Sequence, residues 1–306
     1  MISALCLNPS FDKTVVVDTL RVGKVNRVHS VRTDTGGKGT NVAIVLHRLG
    51  IPVRCLGLAG EDGAARYEQM LEQVGVPHGF LYIAGSLRTN LKVVSLDGVE
   101  VTEINEPGPI VDERRLKSFL KLVKDNCRGD EFLILTGSLP PGCGSDTYAR
   151  LMRLLPIPCI LDTSGDALRD SLEASPFLVK PNRQELENIS GRTLRSLDEV
   201  HRAALELIDI GARNVLVSLG GEGAMLVNQN SALYAPGLKV NVSSTVGAGD
   251  AMTAGFVAGF SQTGDFRESL RRGMAAGAAS VMTDGTQLIR LEDYQALLNR
   301  VVIEEV

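Results

Sequence analysis

Seven residues near the carboxyl-terminal end, Ser244-Thr245-Val246-Gly247-Ala248-Gly249-Asp250, precede a stretch over 251–260 that is apolar or small on every side. Two glycines flanking an alanine permit a tight turn with its amides pointing one way. A helix apolar all round is buried. Its N-terminus therefore opens inside the protein, where unpaired amides and the positive end of the helix dipole favour an anion. Asp250 falls in that first turn, placed to take a proton from a hydroxyl while neighbouring amides hold the charge that develops on a transferring group. This is the layout of a phosphoryl-transfer site, although an Asp at this position serves equally well as a plain helix cap.

A second run, Gly36-Gly37-Lys38-Gly39-Thr40-Asn41-Val42-Ala43, lies near the N-terminus. Glycines let the backbone approach a ligand, Lys38 offers a point charge for a phosphate, and Asn41 can both donate to and accept from hydroxyls. The order of residues is neither a P-loop nor a dinucleotide fingerprint. Turn glycines opening a helix would leave the same trace.

The elements that must position these runs follow from periodicity. Strand-like pieces at 2–7, 53–58, 132–135, 159–162, 177–180 and 214–218 alternate with helices at about 41–49 and 64–74, one opened by Asp112, and one opened by Ser196 with Glu199 as a capping box. Further helices follow the central one, the last over about 292–302. Such alternation predicts an α/β fold with a mostly parallel sheet covered on both faces and ligands at the carboxyl ends of its strands. From 78 to 106 the rhythm changes to short extended pieces, 80–83, 89–96 and 99–104, with Asp97-Gly98 as a hairpin turn. This predicts an antiparallel insertion in a single large domain spanning 1–306.

Composition narrows the function. With 306 residues, 44% hydrophobic and 22% charged, the chain has ample material for a packed core. A net charge of −4 argues against general affinity for nucleic acid or anionic membrane. Five scattered cysteines (Cys6, Cys55, Cys127, Cys143, Cys159) without a C-x-x-C pair suit free thiols in a reducing, cytoplasmic setting. The N-terminus reads as a strand and not as a signal peptide, and no apolar run is long enough to span a membrane. The four histidines share no metal-ligand spacing.

Taken together, the two glycine-rich runs resemble the two signatures of the ribokinase-like PfkB family of sugar kinases. So do Asn8-Pro9-Ser10-Phe11-Asp12, Thr136-Gly137-Ser138-Leu139-Pro140-Pro141-Gly142, Lys180-Pro181-Asn182-Arg183-Gln184-Glu185-Leu186 and Ser218-Leu219-Gly220-Gly221-Glu222-Gly223. The resemblance covers the whole chain and is nearest to the phosphosugar branch, which holds 1-phosphofructokinase and tagatose-6-phosphate kinase. It implies a ribokinase-like three-layer fold with a small antiparallel β-lid made from insertions at about 11–31 and 78–106, and a homodimer through that lid. It also implies ATP and Mg2+ as cofactors, and leaves a monovalent cation open.

Residue by residue, the resemblance implies Asp250 as the base and the amides of Gly247, Ala248 and Gly249 as an anion hole. The helix dipole is expected to make Asp250 a weak base at rest. Asp12, Gly37, Asn41 and Ser138 would meet the sugar. Lys38 and Arg88 would hold its phosphate, with Lys24 and Arg27 as weaker candidates. Lys180, Asn182, Gly249 and the run Ser218, Leu219, Gly220, Gly221, Glu222 and Gly223 would bind ATP. Glu185 and Asn182 would reach magnesium through water, although Asn182 as N-cap with Glu185 three residues on also reads as a plain capping box at a helix start.

The expected reaction is phosphorylation of fructose 1-phosphate to fructose 1,6-bisphosphate. Tagatose 6-phosphate and fructose 6-phosphate are the rival substrates, and a non-catalytic sugar-phosphate sensor is the reading from a different class.

Overall fold

The protein is described by a computed structural model over residues 1–97, 100–283 and 287–306. Its strands are β1 (Ile2–Cys6), β2 (Ser10–Val17), β3 (Val28–Gly36), β4 (Val53–Gly60), β5 (His78–Ser86), β6 (Arg88–Ser95), β7 (Glu100–Asn105), β8 (Phe132–Thr136), β9 (Cys159–Asp162), β10 (Leu178–Val179), β11 (Asn214–Ser218), β12 (Gly223–Asn228), β13 (Ala232–Pro236) and β14 (Glu304–Glu305). Its helices are α1 (Lys38–Arg48), α2 (Glu61–Val74), α3 (Glu113–Asn126), α4 (Thr147–Leu154), α5 (Gly165–Arg169), α6 (Arg183–Ser190), α7 (Leu197–Ile210), α8 (Ala248–Thr263), α9 (Phe266–Val281) and α10 (Leu291–Leu298).

Ten strands form one sheet in the order β14-β13-β12-β11-β10-β9-β8-β1-β4-β5. From β5 across to β11 every pairing is parallel, and β12, β13 and β14 add an antiparallel margin. All five residues of the central strand β1 are buried. A strand covered on both faces must be nearly apolar along its whole length, which is how Ile-Ser-Ala-Leu-Cys reads. Its alternating side chains divide between two cores. Ile2, Ala4 and Cys6 pack with Val42 of α1 and Phe256 of α8, while Leu5 packs with Phe119 of α3 and Tyr148 of α4. Two helical layers therefore sandwich the sheet, and its central strands β1, β8 and β9 are buried along their whole length.

The remaining strands form a second sheet in the order β3-β2-β6-β7. Two of its pairings are antiparallel, as expected of the insertion, but β2 runs parallel to β6 because the chain crosses the main sheet between them. The expected lid stretch 78–106 is also too long at its start. β5 pairs in parallel with β4 from Cys55↔His78 to Gly60↔Ile83 and so extends the large sheet, and of the stretch 78–106 only β6 and β7 join β2 and β3 in the second sheet. The expected turn at Asp97-Gly98 and the expected strand start at Val99 fall partly outside the described residues.

Candidate active site

Helix α8 is buried from Asp250 to Gly259 on every side, as its composition requires. Gly247 caps it in the left-handed conformation, with φ 79°, a region that an L side chain enters only at a cost. Among the described residues no side chain caps this helix, and its Ala248 amide donates to Thr245 O at 3.4 Å. Asp250, in the first turn, is 5% exposed. Its Oδ2 accepts a hydrogen bond of 2.8 Å from the side-chain amide of Asn41 on α1. Among the described residues the Asn41 Oδ1 beside it is buried without a partner.

The weak base expected from the helix dipole does not survive burial. Desolvation is the largest influence on Asp250 and pushes its carboxyl up to about 6, against the opposing pull of the Lys38 ammonium, with the Asp162 carboxylate adding to the rise.

Asp162, at the carboxyl end of β9, was not among the residues singled out from sequence, yet it organises the cations of the site. Its Oδ1 lies 3.2 Å from Lys38 Nζ, and its Oδ2 lies 3.3 Å from both Lys180 Nζ and the Thr253 hydroxyl, which donates to it. Burial pushes its pKa up, but the Lys180 and Lys38 charges and their hydrogen bonds outweigh that and hold it below the usual carboxylate range. In return, Asp162 is the main reason that the Lys38 ammonium is held above its ordinary value. Lys38 is thus paired with Asp162, and it lines the same cavity as Arg88, the other residue expected to hold the sugar phosphate. Lys180 is in the same neighbourhood, its Nζ 3.2 Å from the point where a Cβ on Gly249 would sit.

Across the cleft, the lid contributes Asp12, whose Oδ1 accepts from Ser10 at 2.9 Å and Asn90 at 3.1 Å, and whose Oδ2 pairs with Lys92 Nζ at 3.0 Å. The β2–β6 register sets Asp12 opposite Asn90, which brings these side chains to one face. Arg88 donates to the backbone oxygen of Asn8 at 3.1 and 2.8 Å through Nε and Nη2, and to that of Glu106 at 3.3 Å. Those acceptors are neutral, so among the described residues no carboxylate in contact offsets its positive charge. Behind the glycine run, the Tyr67 hydroxyl donates to Gly36 O at 2.6 Å and meets the Thr40 hydroxyl at 2.7 Å, fixing the lid strand β3 where it enters α1.

Two cavities meet at this point. One of about 360 Å³ is lined by Asp12, Gly37, Lys38, Asn41, Arg88, Asn90, Lys92, Lys180, Glu185 and Asp250 among others. The other, of about 330 Å³, is lined by Gly220, Gly221, Leu238, Val240, Met252 and Met274 and is mostly apolar. Asn182, Ser218 and Gly249 belong to both. A polar chamber holding the buried carboxylate and an apolar chamber behind the glycine turn suit two ligands that exchange a group between them.

The sequence profile of the pfkB family carbohydrate kinases matches residues 7–293. This chain belongs to that family. It is 36% identical over 302 residues to the 1-phosphofructokinase of Vibrio cholerae, covering 98% of this chain and 95% of the relative. It is 34% identical to the 1-phosphofructokinase of Escherichia coli, covering 99% and 98%. Among solved structures it is similar to phosphofructokinase-2 from Escherichia coli in complex with potassium, with a TM-score of 0.92, 30% identity and 98% of each chain covered.

Within this family member several expected residues sit apart from the cavities. The Ser138 hydroxyl accepts from the Asn8 amide at 3.4 Å and does not line the first chamber. Leu219 is 6% exposed in the core, and Glu222 pairs with Arg183 at 2.7 and 2.8 Å, so of the run 218–223 it is Ser218, Gly220 and Gly221 that face the second chamber. Lys24 and Arg27 are absent from the lining, Lys24 lying exposed in the β2–β3 connection. Asn182 and Glu185 form the expected capping box at the start of α6 and also line the first chamber. Asn90 and Lys92 were missed, although their alternation with Arg88 along one strand was a usable signal.

Proposed function

We propose that this chain is an ATP-dependent kinase that phosphorylates fructose 1-phosphate to fructose 1,6-bisphosphate. The observation that carries the reading is Asp250, buried at an uncapped helix start where the two chambers join. The 1-phosphofructokinase relatives supply the substrate assignment.

In this reading the sugar occupies the polar chamber and the nucleotide the apolar one. Asp250 accepts the proton of the attacking hydroxyl, and the turn 247–249 with Lys180 and Lys38 offsets the charge on the transferring phosphoryl group. Asp12 and Asn41 hold sugar hydroxyls, and Arg88 takes the phosphate already present. Magnesium accompanies the nucleotide. Among the described residues no group of three or more His, Cys, Asp or Glu side chains is set to hold an ion, so the ion would keep phosphate and water ligands, with Glu185 and Asn182 meeting it through water. A monovalent cation is a further candidate, given the potassium complex of the Escherichia coli neighbour. Free thiols fit a cytoplasmic protein, and the exposed apolar residues of the lid, among them Val31 and Ile104, fit a homodimer.

The experiment is ADP release with ATP and magnesium against fructose 1-phosphate, fructose 6-phosphate, tagatose 6-phosphate and free fructose. The highest specificity constant is expected for fructose 1-phosphate. A higher value for tagatose 6-phosphate would keep the mechanism and reassign the acceptor.

A further inference from the structure

Lys92 of β6 belongs to neither glycine-rich run, yet it lines the polar chamber and is 5% exposed. Its Nζ lies 3.0 Å from Asp12 Oδ2, while the other oxygen of Asp12 already accepts from Ser10 and Asn90. Among the described residues Asp12 is the acceptor that this ammonium meets, so two of its three N–H groups remain for a ligand. The other cations of the chamber are engaged elsewhere, Lys38 and Lys180 with Asp162 and Arg88 with backbone oxygens.

Strand cohesion is a poor reason for this pair. Desolvating two charges offsets most of their attraction, and an apolar pair of similar size usually does as well. The opposite face of the same two strands already has that alternative, in Val15, Val17 and Val93 packed with Leu20 and Leu91. An ammonium and a carboxylate kept side by side on the cavity wall point to a ligand that needs both.

We propose that Lys92 is a specificity-determining residue of the sugar site. With Asp12 it forms a donor and acceptor pair that reads two adjacent ring hydroxyls of the phosphoketose, the ammonium donating to one and the carboxylate accepting from the next. The inference rests on the phosphoketose kinase reading above. Fructose and tagatose differ only in the configuration at C4, which decides whether the C3 and C4 hydroxyls lie on opposite faces of the ring or on the same face. A fixed pair satisfies one arrangement with both partners and leaves one partner unmet by the other, and an unmet buried polar group is what makes such sites selective.

The test measures kcat/KM for fructose 1-phosphate and tagatose 1-phosphate at saturating ATP in the wild type, Lys92→Met and Lys92→Gln. The methionine variant is expected to shrink the preference between the epimers at least tenfold with KM for ATP within twofold of wild type, and the glutamine variant, which keeps an N–H donor, to retain part of it. Equal losses on both sugars with an unchanged ratio would overturn the proposal and leave Lys92 as a strut for Asp12. A wild type that does not discriminate the epimers would overturn it too. If the methionine variant does not fold, the glutamine variant carries the same comparison. Failure of the wild type on every phosphoketose would instead strike the kinase reading itself.

Discussion

Asn41 donates its amide to Asp250 Oδ2 at 2.8 Å, joining residues 209 positions apart in the chain. The bond ties the start of α1 to the start of α8 and holds the carboxylate in the lining of the polar chamber. General-base assistance of this kind contributes about 10²- to 10⁴-fold. Asp250→Asn is therefore expected to bind sugar and nucleotide normally and to turn over about 10³-fold more slowly. Equilibrium binding and single-turnover rates measured together check both halves, and near-normal turnover would refute the assignment.

The raised pKa of Asp250 makes a pH prediction for catalysis. A base must be ionised, so kcat/KM for the phosphosugar should fall tenfold per pH unit below about 6. A profile flat to pH 5 would contradict it.

The same burial predicts a stability effect of known sign. Folding favours the neutral carboxyl, so this group's contribution is fully present below its ordinary value of 3.8 and is lost as pH rises through about 6. At pH 8 the wild type then carries a cost of about 3 kcal/mol, because each tenfold rise in the carboxyl's proton affinity on folding corresponds to about 1.4 kcal/mol. Asp250→Asn should be more resistant to urea than wild type at pH 8, with the gap narrowing at pH 5. A gap that stays constant with pH would exclude this origin.

Asp162 works in the opposite direction. Its carboxylate neutralises buried Lys180 and half-exposed Lys38, and removing one partner of a buried pair costs about 3–5 kcal/mol. Asp162→Asn should lower the melting temperature and raise KM for ATP more than KM for the sugar. Because the folded pKa is depressed, the stability from Asp162 is present above its ordinary value of 3.8 and is lost as pH falls through the lower folded value.

How much of this was legible from sequence depended on whether a role is local. The helix caps at Asp112, Asn182 and Ser196 and the buried character of α8 are written within a few residues, and all appear as expected. Asp162 looked like an ordinary strand end because its meaning lies in two lysines, one 124 positions before it and one 18 after. Lys92 was missed because its alternation with Arg88 marks only a face of β6, while the parallel register that sets β6 beside β2 is written in neither strand alone. The pKa of Asp250 was misjudged for a related reason. The dipole is readable from the first turn, whereas desolvation depends on everything packed around it.

The lid offers a test of assembly. On the face opposite Asp12 and Lys92, Val31 and Ile104 are 52% and 57% exposed. The double variant Val31→Asp with Ile104→Asp should convert a dimer to a monomer in sedimentation equilibrium while leaving the circular dichroism spectrum unchanged. A wild type that sediments as a monomer at micromolar concentration would contradict the lid-mediated dimer.

The most direct measurement follows the phosphorus itself, by 31P NMR of the protein with ATP, magnesium and fructose 1-phosphate. The account predicts that the ATP γ-phosphate signal is replaced by a second phosphomonoester signal on the sugar, one per ADP formed, giving fructose 1,6-bisphosphate. ADP accompanied only by inorganic phosphate, or an unchanged spectrum, would contradict it.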